Sequence, residues 1–324
     1  MNWIVPMEPI LLPHVMEKEN FIHQVKWDGI RGLCYIQNGK VQVFTKKGRE
    51  RTLYYPELME LPSLLKKRDA VLDGEIIVLN EEMRPSFQLV LMRERVNDKK
   101  KVNYYSRKYP VKYIVFDLLS LNNELITHLS LKERKHLLQE NLTKSSNITI
   151  TDDFENGAEL FSLMKQKGWE GIVSKDIDSP YIPGKNHQAW FKTKLSRKIL
   201  AIVAGLTMKE GNPNSLILAI QGSKGLLYIG RASVGLSQQH LMLLKEAIPE
   251  LKAEKNPFDN FSGNAEDIPS RMPKELKDAV WLKPVLTAWV NFLEWTSDGN
   301  LRHPKILGFT DLSPHEATGA EFIE

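Results

Sequence analysis

Runs of alternating apolar and polar residues, each the length of a strand and cut by glycine turns, constrain this chain most. Between residues 21 and 46 the segments FIHQVKW, GLCYIQ and KVQVFTK alternate with a period of two, and Asp28-Gly29 and Asn38-Gly39 stand between them. That pattern predicts antiparallel strands joined by tight turns at both places. The first turn contains Val25-Lys26-Trp27-Asp28-Gly29-Ile30-Arg31. A lysine amine attacks phosphorus only when deprotonated, and a free pKa of about 10.4 leaves little neutral amine at neutral pH. Desolvation and nearby cations or metal ions lower that value and activate the amine. Alone, Lys-x-Asp-Gly is a weak signal, because a surface turn with a solvated Lys/Asp pair has the same sequence.

The rest of the chain continues in short elements. Residues 1–20 hold three prolines and read as an extended lead-in. Residues 56–67 suggest a short helix with Leu58, Leu61, Leu64 and Leu65 on its buried side, and 70–79 a strand around Asp73-Gly74-Glu75. The strongly basic stretch 83–108 reads as a helix end and a loop, and 111–119 as a second buried strand. Ser130 with Glu133 forms a capping box for a helix over 131–141. A further helix over 155–167 stops at Gly168, and strands follow at 171–175 and 189–194. Past a boundary placed at 194–198, LAIVAGLTM, SLILAIQ and GLLYIGRASVG predict a small β-barrel, with a helix over 236–247 across it.

Composition sets the outer bounds. With 324 residues, 42% hydrophobic and 26% charged, the chain has room for two globular domains. No apolar run approaches the roughly 20 residues needed to span a bilayer, and the first residues lack the features of a signal peptide. Cys34 is the only cysteine, which excludes an intrachain disulfide and a cysteine-based zinc site and fits a reducing cytoplasm. A net charge of +4 only hints at a polyanionic partner, but the distribution says more. From Ser179 to Lys209 there is no acidic residue, against Lys185, Lys192, Lys194, Arg197, Lys198 and Lys209. Such a run binds phosphate backbone without reading sequence, although a solvated basic linker has the same composition.

Several motifs follow Lys26 in order: Asp73-Gly74-Glu75, Tyr113-Ile-Val-Phe116-Asp117, Glu170-Gly171-Ile172-Val173-Ser174-Lys175 and Trp190-Phe191-Lys192-Thr193-Lys194. The set resembles the covalent nucleotidyltransferase superfamily of ATP-dependent DNA ligases, RNA ligases and mRNA capping enzymes. Trp281-Leu-Lys-Pro284 and the stretch from Phe292 through Trp295 and Gly299 to Arg302-His303-Pro304 narrow it, being similar to the distal domain of bacterial end-joining ATP-dependent ligases. The resemblance implies an α+β fold: a nucleotidyltransferase domain of antiparallel sheets with flanking helices over 1–196, then an OB-fold β-barrel domain over 197–324. It implies that Lys26 takes AMP from ATP, with Gln24, Val25, Arg31, Glu75, Phe116 and Lys175 binding the nucleotide. Glu75 would hold the ribose hydroxyls, Phe116 would stack on adenine, and Arg31 would lie near the ribose and nick phosphate. Glu170 and Asp28 would serve Mg2+ or Mn2+, Lys192 and Lys194 the α-phosphate, and Lys46, Arg49 and Lys198 the DNA. Nucleotidyl transfer is mostly positioning and charge neutralisation, so the chemistry asks for these residue types. Nicked or broken double-stranded DNA is the expected partner, with Ku implied by resemblance alone. A bacterial cytoplasmic monomer, nucleoid-associated when bound to DNA, is expected.

Three positions depart from the family pattern. Thr45-Lys46-Lys47-Gly48 replaces Ser/Thr-Arg-x-Gly, which keeps charge but loses the bidentate fork. Gln24 stands where close relatives commonly carry glutamate. The C-terminal Arg-x-Asp-Lys, which orients pyrophosphate in the first step, gives way to Gly308-Phe309-Thr310-Asp311-Leu312-Ser313. An RNA ligase or guanylyltransferase shares the lysine motif, and a catalytically silent DNA-binding protein would tolerate the lost terminal motif.

Overall fold

The computed structural model describes residues 3–96, 98–259, 276, 279–296 and 298–323. It begins with β1 (Ile10–Leu11), β2 (Phe21–Val25), β3 (Ile30–Gln37) and β4 (Lys40–Thr45). The two early glycine turns do different things. Asn38 and Gly39 both have positive φ, at 50° and 74°, and close a hairpin in which Gln37 pairs with Lys40, as a two-residue turn requires. Asp28-Gly29 makes no hairpin, contrary to the sequence expectation. β2 pairs with β9 (Gly171–Asp176), whereas β3 pairs with β4 and with β5 (Ala70–Val78). Residues 26–29 therefore carry the chain from one sheet to another. They run so close to β5 that a Cβ on Gly29 would lie 2.3 Å from the Ile76 carbonyl oxygen.

The chain divides into two units between Leu195 and Ser196. In the first, one sheet has the order β1-β10-β9-β2, with β10 at Trp190–Lys194. The other runs β4-β3-β5-β6-β7, with β6 at Val111–Leu121, β7 at Glu124–Leu125, and β8 (Ile148–Ile150) beside β6. Pairing is antiparallel except for β1 with β10 and β6 with β8. Strands β3 and β5 are buried on both faces. Cys34, Ile36, Leu72, Ile76 and Val78 enter one core with Tyr55, Leu58, Leu61, Val90 and Leu138. Leu33, Tyr35 and Val71 enter a second core with Met7, Tyr181 and Trp190. Trp190 on β10 thus packs against the central sheet, and the seam between the sheets forms where the chain crosses at residue 26.

Two helical regions differ from the sequence reading. Residues 56–67 form a 3-10 turn (Pro56–Glu60) followed by the one-turn helix α1 (Leu61–Leu64). Pro62 lacks the N–H that would bond the Leu58 carbonyl, which instead accepts from Leu61 N. The basic stretch holds two helices, α2 (Phe87–Glu94) capped by Ser86 and α3 (Lys99–Lys108) capped by Asp98. Its apolar period is hidden because a core position is filled by Arg93, only 1% exposed and paired with Glu57 at 2.6 Å. α4 (Leu131–Asn141) has the expected Ser130/Glu133 capping box. α5 (Gly157–Lys167) ends at Gly168 with φ 64°, the left-handed cap that glycine favours.

The second unit starts with the long strand β11 (Arg197–Lys209), then β12 (Asn212–Gly222) and β13 (Gly225–Ala232). Helix α6 (Gln238–Leu251), β14 (Val280–Trp281), β15 (Thr287–Phe292), β16 (Lys305–Thr310) and β17 (Glu321–Ile323) follow. The order β13-β12-β11-β15-β16 closes on itself through a parallel bridge between Val234 and Lys305. Five strands with a helix between the third and fourth make the OB-fold barrel, filled by Ile199, Val203, Leu216, Leu218, Val290 and Ile306. In the 292–304 signature, Trp295 bridges Leu301 and Arg302 pairs with Glu294 at 2.6 Å; Ser297 lies outside the described residues. Among the described residues no helix is long and apolar enough to cross a membrane.

Candidate active site

Lys26 is the first residue after β2, and its backbone N–H donates to the Gly171 carbonyl at 2.9 Å. Gly171 has φ 137°, and a Cβ there would meet the Thr193 carbonyl oxygen at 2.1 Å, so only glycine lets β2, β9 and β10 approach this closely. The side chain is held as firmly. Lys26 Nζ lies 2.6 Å from Glu170 Oε2, and Lys194 Nζ lies 2.7 Å from Glu170 Oε1. Burial alone would raise the Glu170 pKa, but the ammonium groups of Lys26 and Lys194 outweigh it and hold it below the usual carboxylate value. Lys192 and Lys194 fall on one side of β10, as period two requires, with Phe191 and Thr193 buried on the other.

Beside Lys26 opens a cleft, open on one side, lined by Gln24, Val25, Lys26, Arg31, Lys46, Glu75, Phe116, Lys175, Trp190 and Lys192 among others. Loss of hydration pushes Glu75 up to about 8, against the opposing pull of Lys26 and Arg31. Burial pushes the Lys175 ammonium down to about 7. Its Nζ sits 4.3 Å from the Phe116 ring centroid and 4.0 Å from that of Trp190, and those ring faces favour the charged form. Lys192 is also lowered, by burial first and then by Lys194 and Lys26.

Arg31 is committed elsewhere. Its Nε donates to Asp73 Oδ1 at 2.8 Å and its Nη1 to the Met7 carbonyl at 2.6 Å, while Nη2 reaches Asp73 Oδ2 and the Tyr181 hydroxyl. Its guanidinium carbon lies 5.0 Å from the centre of the Phe116 ring. Arg31 therefore braces the cleft wall, with its donors largely used.

The fold brings together most of the residues singled out in the sequence. Gln24, Val25, Lys26, Arg31, Lys46, Glu75, Phe116, Lys175 and Lys192 line one cleft, and Glu170 and Lys194 join it through Lys26. Asp28 is half-buried and outside the cleft lining, as is the exposed Arg49. Lys198 belongs to the second unit, its Nζ 4.4 Å from the Trp289 ring centroid. Sequence reasoning missed Glu8, which pairs with Lys46 at 2.6 Å at the cleft edge, and Asp73 and Tyr181, which hold Arg31. It also missed Trp190 as a wall and Asp153, which bonds the Gln24 amide at 2.7 Å. Only Asp73 and Trp190 carried a signal, as members of quoted motifs without an assigned role.

Among the described residues no three His, Cys, Asp or Glu side chains gather into a metal cluster. Mg2+ takes few protein ligands and fills its sphere with water and substrate phosphates. Glu170 offers a carboxylate beside the nucleophile, but both its oxygens are paired with Lys26 and Lys194, so an ion arriving with a nucleotide would replace one of those lysines.

A lysine poised between two sheets beside a cleft lined by Glu75, Phe116 and three further lysines, followed in the chain by an OB-fold barrel, defines a ligase-type nucleotidyltransferase. The family described as ATP dependent DNA ligase domain matches residues 11–194 and the ATP dependent DNA ligase C terminal region matches 209–311, so the chain belongs to the ATP-dependent DNA ligases. It is 31% identical over 320 residues to the multifunctional non-homologous end joining DNA repair protein LigD of Mycobacterium tuberculosis, covering 96% of this chain and 39% of that protein. The crystal structure of the M. tuberculosis LigD ligase domain matches with a TM-score of 0.53 at 28% identity, over 97% of this chain and 98% of that one. A mycobacterial DNA ligase D complexed with ATP and MES matches with the same score, identity and coverage. The chain thus spans about two fifths of the length of the LigD protein it resembles.

Proposed function

We propose that this protein is an ATP-dependent DNA ligase that seals 5′-phosphate/3′-hydroxyl nicks through a lysyl-AMP intermediate on Lys26. The observation that carries this reading is the pairing of Lys26 Nζ with Glu170, itself bridged to Lys194, at the edge of the cleft lined by Glu75 and Phe116. In the first step Lys26 leaves Glu170 and gives up a proton to solvent. Its Nζ bonds the α-phosphorus of ATP as the bond to the pyrophosphate oxygen breaks, with Lys192 and Lys194 neutralising the developing charge. A 5′-phosphate oxygen of DNA then takes AMP from the lysine, which regenerates the amine. Last, the DNA 3′-hydroxyl attacks that phosphate, forms the phosphodiester and releases AMP.

The cleft walls support the nucleotide roles. Phe116, backed by Arg31 and Trp190, is the face for adenine, and Glu75, with a pKa of about 8, can both donate to and accept from the ribose hydroxyls near neutral pH. Gln24, Val25 and Lys175 complete the nucleotide pocket. Because Asp73 and Tyr181 occupy Arg31, we assign it to the wall and leave the phosphates to lysines. Glu170 is the residue to hold Mg2+ or Mn2+, which supplies Lewis-acid charge neutralisation when bound. Asp28, two residues past Lys26, is proposed to serve that ion with Glu170. Lys46, Arg49 and Lys198 are proposed to meet the DNA backbone. The two domains are assigned as 1–196 and 197–324, acting as a bacterial cytoplasmic monomer. An end-joining role with Ku rests on the resemblance to LigD.

Incubation with ATP labelled at the α-phosphate tests the reading. Label retained on the protein through denaturing electrophoresis, and chased into sealed product by nicked DNA, is the expected result. No retained label in the presence of Mg2+ or Mn2+ overturns it.

A further inference from the structure

Gln24 is 2% exposed and lines the cleft, and among the described residues its side chain makes one hydrogen bond, from Nε2 to Asp153 Oδ1 at 2.7 Å. An ionised carboxylate only accepts, so the amide nitrogen must face Asp153 and the amide oxygen is left for a ligand. Lys135 Nζ lies 2.9 Å from the same Asp153 oxygen, with its side chain 7% exposed, and supplies the counter-charge. The backbone holds the pair in register. His23 and Phe154, the neighbours of Gln24 and Asp153, exchange two hydrogen bonds of 2.9 Å, and Thr151 N–H donates to the Val115 carbonyl.

We propose that Asp153 is the positioning residue that selects adenine over guanine, by locking the Gln24 amide with its oxygen toward the cleft. This rests on the ligase reading and deepens it. At position 6 adenine carries an amino group, a donor that the fixed oxygen accepts. Guanine carries a carbonyl there, so two acceptors would face each other without a proton between them. An amide free to rotate by half a turn presents its NH2 instead and loses the distinction. A site built to bond a polar group rejects an analogue lacking it by large factors, because its own polar atom is left unpaired.

Single-turnover lysyl-AMP and lysyl-GMP formation by the full chain tests this. Wild-type labelling by ATP decides the ligase reading independently, before any ratio is taken. Asp153→Asn leaves size unchanged but can either donate or accept, so the ATP:GTP rate ratio is expected to fall at least tenfold. Gln24→Met, which removes the amide, should lower the ratio as far. Gln24→Glu sets two carboxylates against each other and should slow ATP use. In the Gln24→Glu/Asp153→Asn double variant the new amide donates to the new carboxylate, and the preference should return to within about threefold of wild type. Equal slowing of ATP and GTP by Asp153→Asn, or a double variant no better than Gln24→Glu alone, overturns the proposal.

Discussion

Glu170 bridges two lysines, and that decides what removing one of them does. Lys26→Ala deletes the nucleophile but leaves Glu170 paired with Lys194 at 2.7 Å, so no buried charge is stranded. Lysyl-AMP should vanish while the thermal midpoint stays within a few degrees, and the variant should still seal a pre-adenylated nick, since the last step does not use the amine. Full labelling of Lys26→Ala would remove Lys26 from the role. Lys175 offers a pH test. Burial lowers its pKa from 10.5 to about 7 in the folded chain, so between those values the unfolded chain binds the extra proton. The penalty for burying the charge is therefore complete below pH 7 and fades as pH rises toward 10.5. Lys175→Met keeps the length and is expected to raise the melting temperature more at pH 6 than at pH 10. Equal shifts at both would mean that the ammonium keeps its hydration.

At the scale of elements, Asp117 and Glu170 look alike in sequence, each an acid in a strand motif, yet one joins elements and the other faces the nucleophile. Asp117 on β6 accepts from Arg134 Nε and Nη2 on α4 at 2.8 and 2.9 Å, and both side chains are 0% exposed. Asp117→Ala strands a buried guanidinium and is expected to cost roughly 3–5 kcal/mol of stability. Glu170→Ala, near the cleft, should lose adenylation while urea unfolding changes little. Coincident losses of stability in both variants would contradict this division. Gly29→Ala tests the strand crossing: a Cβ 2.3 Å from the Ile76 carbonyl oxygen must push residues 26–29 off β5, and lysyl-AMP formation should fall at least tenfold. A variant that labels at the wild-type rate would show that the crossing does not set the position of Lys26. The α2–α3 region shows how elements escape a sequence reading, since a buried arginine occupies a position where an apolar residue would have revealed the period.

At the scale of the whole molecule, residues 308–313 carry neither the arginine nor the lysine that the family resemblance places there. Ser313, standing where the lysine is expected, caps the short 3-10 turn Pro314–Glu316, and Thr310 ends β16. Losing one charge-assisted contact to a phosphate costs about a hundredfold in rate, so self-adenylation is expected to be slow relative to sealing of a pre-adenylated nick. Single-turnover rates for the two steps check it; if adenylation is faster, Arg302, Lys305 and Arg231 are the cations to mutate. The positions of most long strands of the first unit, the capping box at Ser130, the left-handed stop at Gly168 and the paired lysines of β10 were legible because turn chemistry, capping and period two act within a few residues. The ordered motifs also marked Lys26, Glu170 and Phe116. The partners that orient the site were not legible: Asp73 and Tyr181 lie 42 and 150 residues from Arg31, and Asp153 lies 129 from Gln24. The sequence by itself determined which side chains could do the chemistry and where the chain must turn. Only the tertiary structure decided that Asp28-Gly29 crosses between sheets, that Arg31 is spent on Asp73, and which way the Gln24 amide points. Those outcomes depend on contacts between distant segments, whose hydrogen-bonding needs are met only once the sheets have packed.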